Sequence, residues 1–496
     1  MGVYQGQVAK RVNNFGSGLL NIAGLKTKSD NVVGIFAPNS AEYIIADLAA
    51  HHYSLVTVPL DQHDTASALA SALTLTGMTV IVVTPRTLSV VLAAAFESAV
   101  RSLAHVVVIG GLGEVRAEDR RVAEAVGITL YAFEEVERVG EGKPVENVAP
   151  GPDDLASIYF TSTLNESTRK GVMLTHKVCF RKISSFLAIV PPNQKITTND
   201  RHLSYLSLAH VMERMAIGAL TFVGGSIAFY SGNASKLLDD AQQAKPTIFT
   251  SVPKILHRVQ DQITKQYGDS FLYKKGYAAK QELLRQGRLV NDDMWDLLVF
   301  RDIRTKFFGG KVRILATSAG EFVANQIKSI PPLNPYFTNS NISEFFRVVL
   351  GSQVIQGHGL AETSGAITAT LFNDYAVTGA IGAALPCNEI KLIDLPELGY
   401  RVDDTPNPRG EILVRGHNLF KGYLGDEEAT RRIVDADGWL RTGMVGEVLP
   451  NGTFKIVDRK EVSWLMNWNG IRGVILDWMR HVLFCVDMIQ VVYIFG

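Results

Sequence analysis

Apolar and polar positions along this chain follow two alternating periods. From about residue 4 to 25, Val8, Val12, Leu19 and Leu20 recur on one helical face, which predicts an amphipathic helix. Short apolar runs follow at Val32-Val33-Gly34-Ile35-Phe36, Leu55-Val56-Thr57-Val58, Val80-Ile81-Val82-Val83 and Val106-Val107-Val108-Ile109. Helix-compatible stretches separate them: Asn39-Ser40 to about His51, Asp64 to Leu75, and Leu88 to Arg101. Short apolar strands alternating with helices predict βαβ units around a parallel sheet. Pro150-Gly151-Pro152 interrupts the pattern. It resumes with Leu155-Ala156-Ser157-Ile158-Tyr159-Phe160, a polar turn, and a helix capped by Thr175. Thr247-Ile248-Phe249, Val312-Arg313-Ile314-Leu315 and the apolar run 348–355 are further expected strands, with charged helix over about 253–305. Beyond Cys387 the period shortens. Glu389 to Ile393 and Glu411 to Val414 read as alternating strands, and Asn451-Gly452 as a hairpin turn. The predicted fold is α/β: a large N-terminal domain of βαβ-built sheets with a β-rich subdomain at about 386–457.

Composition narrows the function. A chain of 496 residues can bury a large core. Lys and Arg balance Asp and Glu at 49 each, so no nucleic-acid surface is expected. Cys179, Cys387 and Cys485 are far apart and lack metal spacing, which predicts a reducing compartment. The start, Met1-Gly2-Val3-Tyr4-Gln5, leads into polar sequence without a secretory apolar region. No apolar run is long enough to span a bilayer. These features predict an intracellular protein.

Candidate chemistry concentrates in a few polar stretches. Thr161-Ser162-Thr163-Leu164-Asn165-Glu166-Ser167-Thr168-Arg169-Lys170-Gly171 carries five hydroxyl side chains and ends on two cations. Hydroxyls, backbone N–H groups and an ammonium suit a polyphosphate, although a polar surface loop with a basic end has the same composition. His210 follows the strand-like Ser204-Tyr205-Leu206-Ser207-Leu208. It is either a ligand-facing histidine at a strand edge or a structural histidine in a turn. In Gln356-Gly357-His358-Gly359-Leu360-Ala361-Glu362-Thr363, a ring between two glycines can lie against a base, and Glu362 can hold a hard cation. An ordinary tight turn is the alternative. Asp437-Gly438-Trp439-Leu440-Arg441-Thr442-Gly443 and Asp458-Arg459-Lys460 complete the set.

In order and spacing these pieces resemble the adenylate-forming, AMP-binding enzymes, in particular long-chain fatty acyl-CoA synthetases. The likeness also takes in Asn13 to Leu19, Ala49 to Leu60, Val172-Met173-Leu174-Thr175-His176, Arg409-Gly410-Glu411-Ile412, Arg415-Gly416 and Lys421-Gly422-Tyr423. The resemblance implies ligase activity: ATP and a long-chain fatty acid give an acyl-adenylate, and the acyl group passes to coenzyme A, with Mg²⁺ as metal. It assigns Thr161, Ser162, Thr163, Lys170 and Gly171 to the phosphates, and Glu362 to the metal. His358 and Gly359 would lie at the adenine, and Ser318, Ala319 and Gly320 would line the nucleotide pocket. Arg459 would contact the ribose, with Asp458 as hinge. His210 would border the adenylate and acyl pocket, so Lys170, Glu362 and His210 are the implied catalytic candidates. The family also implies the cytoplasm or the cytosolic face of the endoplasmic reticulum or peroxisome, with peripheral membrane association.

The chain departs from the family pattern. The phosphate loop lacks its inner glycines and proline and is one residue longer. Thr442-Gly443-Met444 replaces a Thr-Gly-Asp whose aspartate binds the ribose hydroxyls, and Ala361 stands for a threonine. After Asp458 come 38 residues with no lysine beyond Lys460. The expectation is an incomplete small C-terminal domain over 458–496 and impaired activity. Two alternatives remain open: a non-catalytic descendant that binds nucleotide or fatty acid, and an enzyme activating another carboxylate.

Overall fold

The structure, a computed structural model, describes residues 5–28, 31–97, 102–161, 169–318, 342–375 and 379–460. Three sheets organise them. The first contains β1 (Val32–Phe36), β2 (Val56–Pro59), β3 (Val80–Val83), β4 (His105–Val108), β5 (Thr129–Ala132), β6 (Leu155–Phe160) and β7 (Gly171–Thr175). The second contains β8 (Arg201–Ser204), β9 (Ser226–Phe229), β10 (Ile248–Ser251), β11 (Ile314–Ser318), β12 (Gln353–Leu360), β13 (Gly365–Ala369) and β14 (Ala383–Ala384). β15 (Asn388–Ile393) and β16 (Arg409–Gly416) start the third sheet. The chain then returns to the first sheet through β17 (Gly422–Tyr423), and completes the third with β18 (Leu440–Val448) and β19 (Phe454–Arg459).

The first sheet runs β17-β7-β6-β2-β1-β3-β4-β5, parallel from β6 to β5. The second runs β14-β13-β12-β11-β10-β8-β9, parallel from β12 to β9. The third is antiparallel, β15-β16-β18-β19. Strands β1 and β3 are buried on both faces, which is why they read as unbroken apolar runs. Val32, Phe36, Ile81 and Val83 pack under the helices Ala66–Thr76 and Pro85–Glu97, while Val33, Ile35, Val80 and Val82 pack under Gln5–Ala23 and Ala41–His52.

The helix Val211–Val223 lies between the two large sheets. Its Ile217 enters the core of the first sheet and its Leu220 that of the second. Adjacent charges fasten its first turn. Glu213 accepts from His202 Nε2 at 2.9 Å and from Thr250 Oγ1 at 3.1 Å, on the second sheet. Arg214 donates to both oxygens of Asp47, at 2.7 and 2.9 Å, on the helix that covers the first. All four ionisable partners are largely buried.

Two elements differ from the sequence expectation. Phe160 does not lead through a turn directly into a helix. Gly171–Thr175 first forms β7, antiparallel to β6, and the helix His176–Ala188 begins afterwards. Leu174 and Val172 are buried at period two, the strand signal that the neighbouring polar loop and the Thr175 cap hide. The apolar run at 348–355 is also not one strand. Its first part ends the helix Ile342–Leu350, all of whose residues but Glu344 are buried, and Gly351 at φ +60° turns the chain into β12. Its polar Ser343 and Arg347 are buried with the rest, and the short apolar run at its end cannot be told from a buried strand by periodicity alone.

Candidate active site

The carboxyl ends of parallel strands from both large sheets meet at one edge, the usual ligand position in open α/β sheets. Tyr159 of β6, Val172 of β7, Leu360 at the end of β12 and Tyr423 of β17 share one apolar cluster there. That cluster brings the polar loop after β6 to the hairpin after β12.

The loop closes as the mouth of the β6–β7 hairpin. Thr161 N–H donates to the Lys170 carbonyl at 3.1 Å, and Lys170 N–H donates to Thr161 Oγ1 at 3.1 Å. Ser162 and Thr163 lie outside the described residues. The two cations at its end separate. Arg169 turns away to Asp64, with Nη1 3.0 Å from Oδ1 and both side chains mostly buried. Lys170 faces the site: its ammonium lies 4.7 Å over the Tyr423 ring and 3.9 Å from Asp426 Oδ2, and its side chain is 38% exposed. Gly171 has a packing role. A Cβ there would meet Ile158 Cγ2 at 3.1 Å and Leu424 Cβ at 3.2 Å.

Glu362 sits in the turn between β12 and β13. Its carbonyl accepts from Phe420 N–H at 2.8 Å, and its carboxylate accepts from the Tyr423 hydroxyl at 2.6 Å. Burial, then the adjacent Glu362 charge, drives the Tyr423 phenol well above its ordinary range, so it stays a donor. Lys170, Tyr423 and Glu362 thus form a connected line. Sequence reasoning gave Tyr423 no role, although Gly422-Tyr423 belonged to a recognised segment. A carboxylate oxygen is the donor type that Mg²⁺ takes, so the chemistry of Glu362 fits the metal that the resemblance implies. Among the described residues no group of three or more His, Cys, Asp and Glu could hold a metal by itself.

His358 lies in β12 itself, opposite Thr368 of β13, where a loop was expected. Gly359 is required for another reason than an uncovered ring face: a Cβ there would stand 1.9 Å from the Gly365 carbonyl oxygen and part the hairpin. His358 Nε2 is buried without a hydrogen-bond partner among the described residues, which fits a ligand atom to be paired there. Burial, and then the positive charge of Arg459, holds this imidazole down to about 4. Ser318 ends β11 beside it, paired with Gly357, while Ala319 and Gly320 lie outside the described residues.

Asp458 and Arg459 close β19. Asp458 is buried and accepts from Tyr400 Oη at 2.8 Å and from Arg459 N–H at 2.7 Å. Arg459 stands directly across from Met444 on β18. His210 is the N-cap residue of the helix Val211–Val223, makes no capping bond with its side chain, and is 63% exposed. It follows β8 by a short loop, so it is near, and not on, the strand edge. Its Nε2 lies 3.8 Å from Asp61 Oδ2, three residues before the Asp64 that holds Arg169. Residues 461–496 lie outside the described residues, and with them nearly all of the expected C-terminal segment.

The fold is the one that solved adenylation domains share. The chain superposes with a TM-score of 0.69 on the A domain of a carboxylic acid reductase from Segniliparus rugosus, solved in complex with AMP and a co-purified carboxylic acid, at 23% identity over 92% of this chain and 67% of that one. The N-terminal domain of FACL13 from Mycobacterium tuberculosis superposes at 0.61, with 19% identity over 92% of each chain. At the level of sequence, the model of the AMP-binding enzyme family matches residues 5–424, and the chain belongs to that family. It is 36% identical over 459 residues to long-chain-fatty-acid–CoA ligase 6 of Rattus norvegicus. It is 34% identical over 461 residues to the peroxisomal long chain acyl-CoA synthetase 7 of Arabidopsis thaliana. Those alignments cover 92% of this chain and 62% and 61% of the relatives, so the chain spans about three fifths of their length.

Proposed function

We propose that this chain activates long-chain fatty acids with ATP, first to the acyl-adenylate and then, with coenzyme A, to the acyl-CoA. The observation that carries the reading is the convergence of Lys170, Tyr423 and Glu362 at the shared strand edge. A fatty-acid carboxylate oxygen attacks the α-phosphorus, the bond to pyrophosphate breaks, and the thiol of coenzyme A then displaces AMP from the acyl carbon. Lys170 neutralises phosphate charge, and the loop backbone with Thr161, Ser162 and Thr163 donates to phosphate oxygens. Such fixed donors stabilise charge as it develops in the transition state. Bound Mg²⁺ would supply further neutralisation from Glu362, which Tyr423 holds in place. His358 and Ser318 border the base, Arg459 the ribose, and His210 the acyl side.

In the same reading residues 1–457 form the large nucleotide-binding domain, the sheet over β15, β16, β18 and β19 is its subdomain, and Asp458 is the hinge. Fatty substrates partition into bilayers, which favours peripheral attachment at a cytosolic membrane face. Among the described residues no helix is long and apolar enough to cross a membrane.

The experiment is ATP–pyrophosphate exchange by the full chain across fatty acids of increasing length. Exchange that rises with chain length supports the proposal. Exchange only with short acids moves it to another carboxylate. Nucleotide binding without exchange for any acid makes the chain a binding descendant of the family.

A further inference from the structure

Lysines are seldom fully buried unless something pairs with them. Lys280, 3% exposed, follows that rule, with its ammonium 2.6 Å from Asp296 Oδ1. Lys182, 4% exposed on the helix His176–Ala188, does not: among the described residues it has neither an ion pair nor a hydrogen bond. Burial lowers its ammonium to about 8, which leaves it charged at neutral pH.

The turn that carries Glu362 lies over this lysine. Cys179, one turn earlier on the same helix, packs with Leu360 and Ala361. A Cβ on Gly365, the first residue of β13, would stand 3.1 Å from Lys182 Cδ and 3.7 Å from its Nζ, so the lysine runs along the face where Gly365 has no side chain. Next to Gly365, Ser364 is fully buried, and its Oγ has no hydrogen-bond partner among the described residues. An unpaired ammonium and an unpaired hydroxyl are thus both buried at the turn that holds Glu362.

A buried charge is costly unless it is paired, and a buried polar atom without a partner calls for one from outside the chain. The group that answers both donors is an anionic oxygen. In the proposed reaction the phosphate charge is met by Lys170, the loop donors and Mg²⁺. The carboxylate of the acid is the one anion left without a cation.

We propose that Lys182 and Ser364 receive the carboxylate of the acid substrate, the ammonium and the hydroxyl both donating to one of its oxygens and leaving the other free to attack. The inference rests on reading the chain as an acid-activating enzyme, and it adds the residues that recognise the acid group.

Titration calorimetry on the full chain tests it, with Mg²⁺ and a non-hydrolysable ATP analogue present. The two probes, decanoate and decanamide, share a tail and differ in charge. Decanoate should bind tenfold or more tightly than decanamide. Lys182→Met keeps a long unbranched side chain and removes the charge. It should abolish the preference and leave the affinity for the ATP analogue unchanged. Its urea midpoint should stay level or rise, because an unpaired buried charge is gone. Ser364→Ala should weaken decanoate by a smaller factor. Equal binding of the two probes overturns the inference and leaves fatty-acid activation standing, and so does a preference that survives Lys182→Met. A lowered midpoint with equal loss of both probes and of the ATP analogue makes Lys182 a structural residue and also overturns it. If neither probe binds, the fatty-acid reading falls with it.

Discussion

The Tyr423 hydroxyl donates to Glu362 Oε1 at 2.6 Å, joining two residues 61 positions apart. It ties the turn between β12 and β13 to the edge strand of the other large sheet, and holds the carboxylate on the tyrosine whose ring the Lys170 ammonium overlies. Tyr423→Phe should keep the ring under the Lys170 ammonium and remove only the donor. A hydrogen bond to a charged group contributes about 1.5–3 kcal/mol. Mg-ATP affinity, measured by calorimetry, should fall by up to that amount while the fold persists by circular dichroism. Unchanged affinity would show that Glu362 takes no part in binding.

The neighbouring cations Arg169 and Lys170 should respond oppositely to removal. Lys170→Ala should weaken Mg-ATP binding by about 1.5–3 kcal/mol, the range for charge-assisted contacts, with little loss of stability. Arg169→Ala leaves Asp64 buried without its guanidinium, and breaking such a pair costs on the order of 3 kcal/mol. Denaturant midpoints and nucleotide affinities of both variants separate the roles. Equal loss of affinity in the two variants would refute the division.

The pair between Asp47 and Arg214 should prove costly to break and cheap to replace. Asp47→Ala leaves a buried guanidinium uncompensated, at about 3–5 kcal/mol. The double variant Asp47→Leu with Arg214→Met should recover most of that stability in urea unfolding, since well-packed apolar replacements of buried pairs are often neutral. A double variant no more stable than Asp47→Ala would contradict this.

Acid stability should follow two histidines. Burial, and then the nearby His51, holds His176 down to about 4, and burial with Arg459 does the same to His358. Their folded values lie below the ordinary 6.5, so between about 4 and 6.5 the unfolded chain binds more protons. Stability therefore falls as pH drops through that window and is complete above it. Urea midpoints should decline between pH 6.5 and 4.5, and His176→Asn should make the decline shallower. A slope unaffected by the substitution would remove His176 from the account.

The fold was legible where burial is complete on both faces. β1 to β4 announced themselves as apolar runs because helices cover both sides of their sheet. β5, Thr129–Ala132, did not, because it is a half-exposed edge without an apolar run. β7 was masked by the polar loop beside it, and Ile342–Leu350 by the apolar run at its end, which reads on into β12. Within the candidate site, motif order pointed to Lys170 and Glu362, and the structure brings both to Tyr423. That Arg169 faces inward to Asp64 could not be read, since adjacent cations look alike in sequence. The meeting of Met444 and Arg459 depends on strand register, which no local pattern encodes across fifteen positions.

The excursion of β17 bears on how the molecule can be cut. Leu424 N–H donates to the Gly171 carbonyl and Lys421 N–H to that of Met173, each at 2.8 Å, so residues 421–424 roof the outer edge of β7. A chain ended near residue 386, where the sequence changes character, would strip that roof. The bared backbone of β7 would then be open to strand-by-strand association between molecules, a route to aggregates. The segment that carries the third sheet is thus less an appendage than a part stitched into the first sheet through β17. Residues 386–457 should melt with the rest of the chain in one transition, and an expression boundary drawn there should yield insoluble protein.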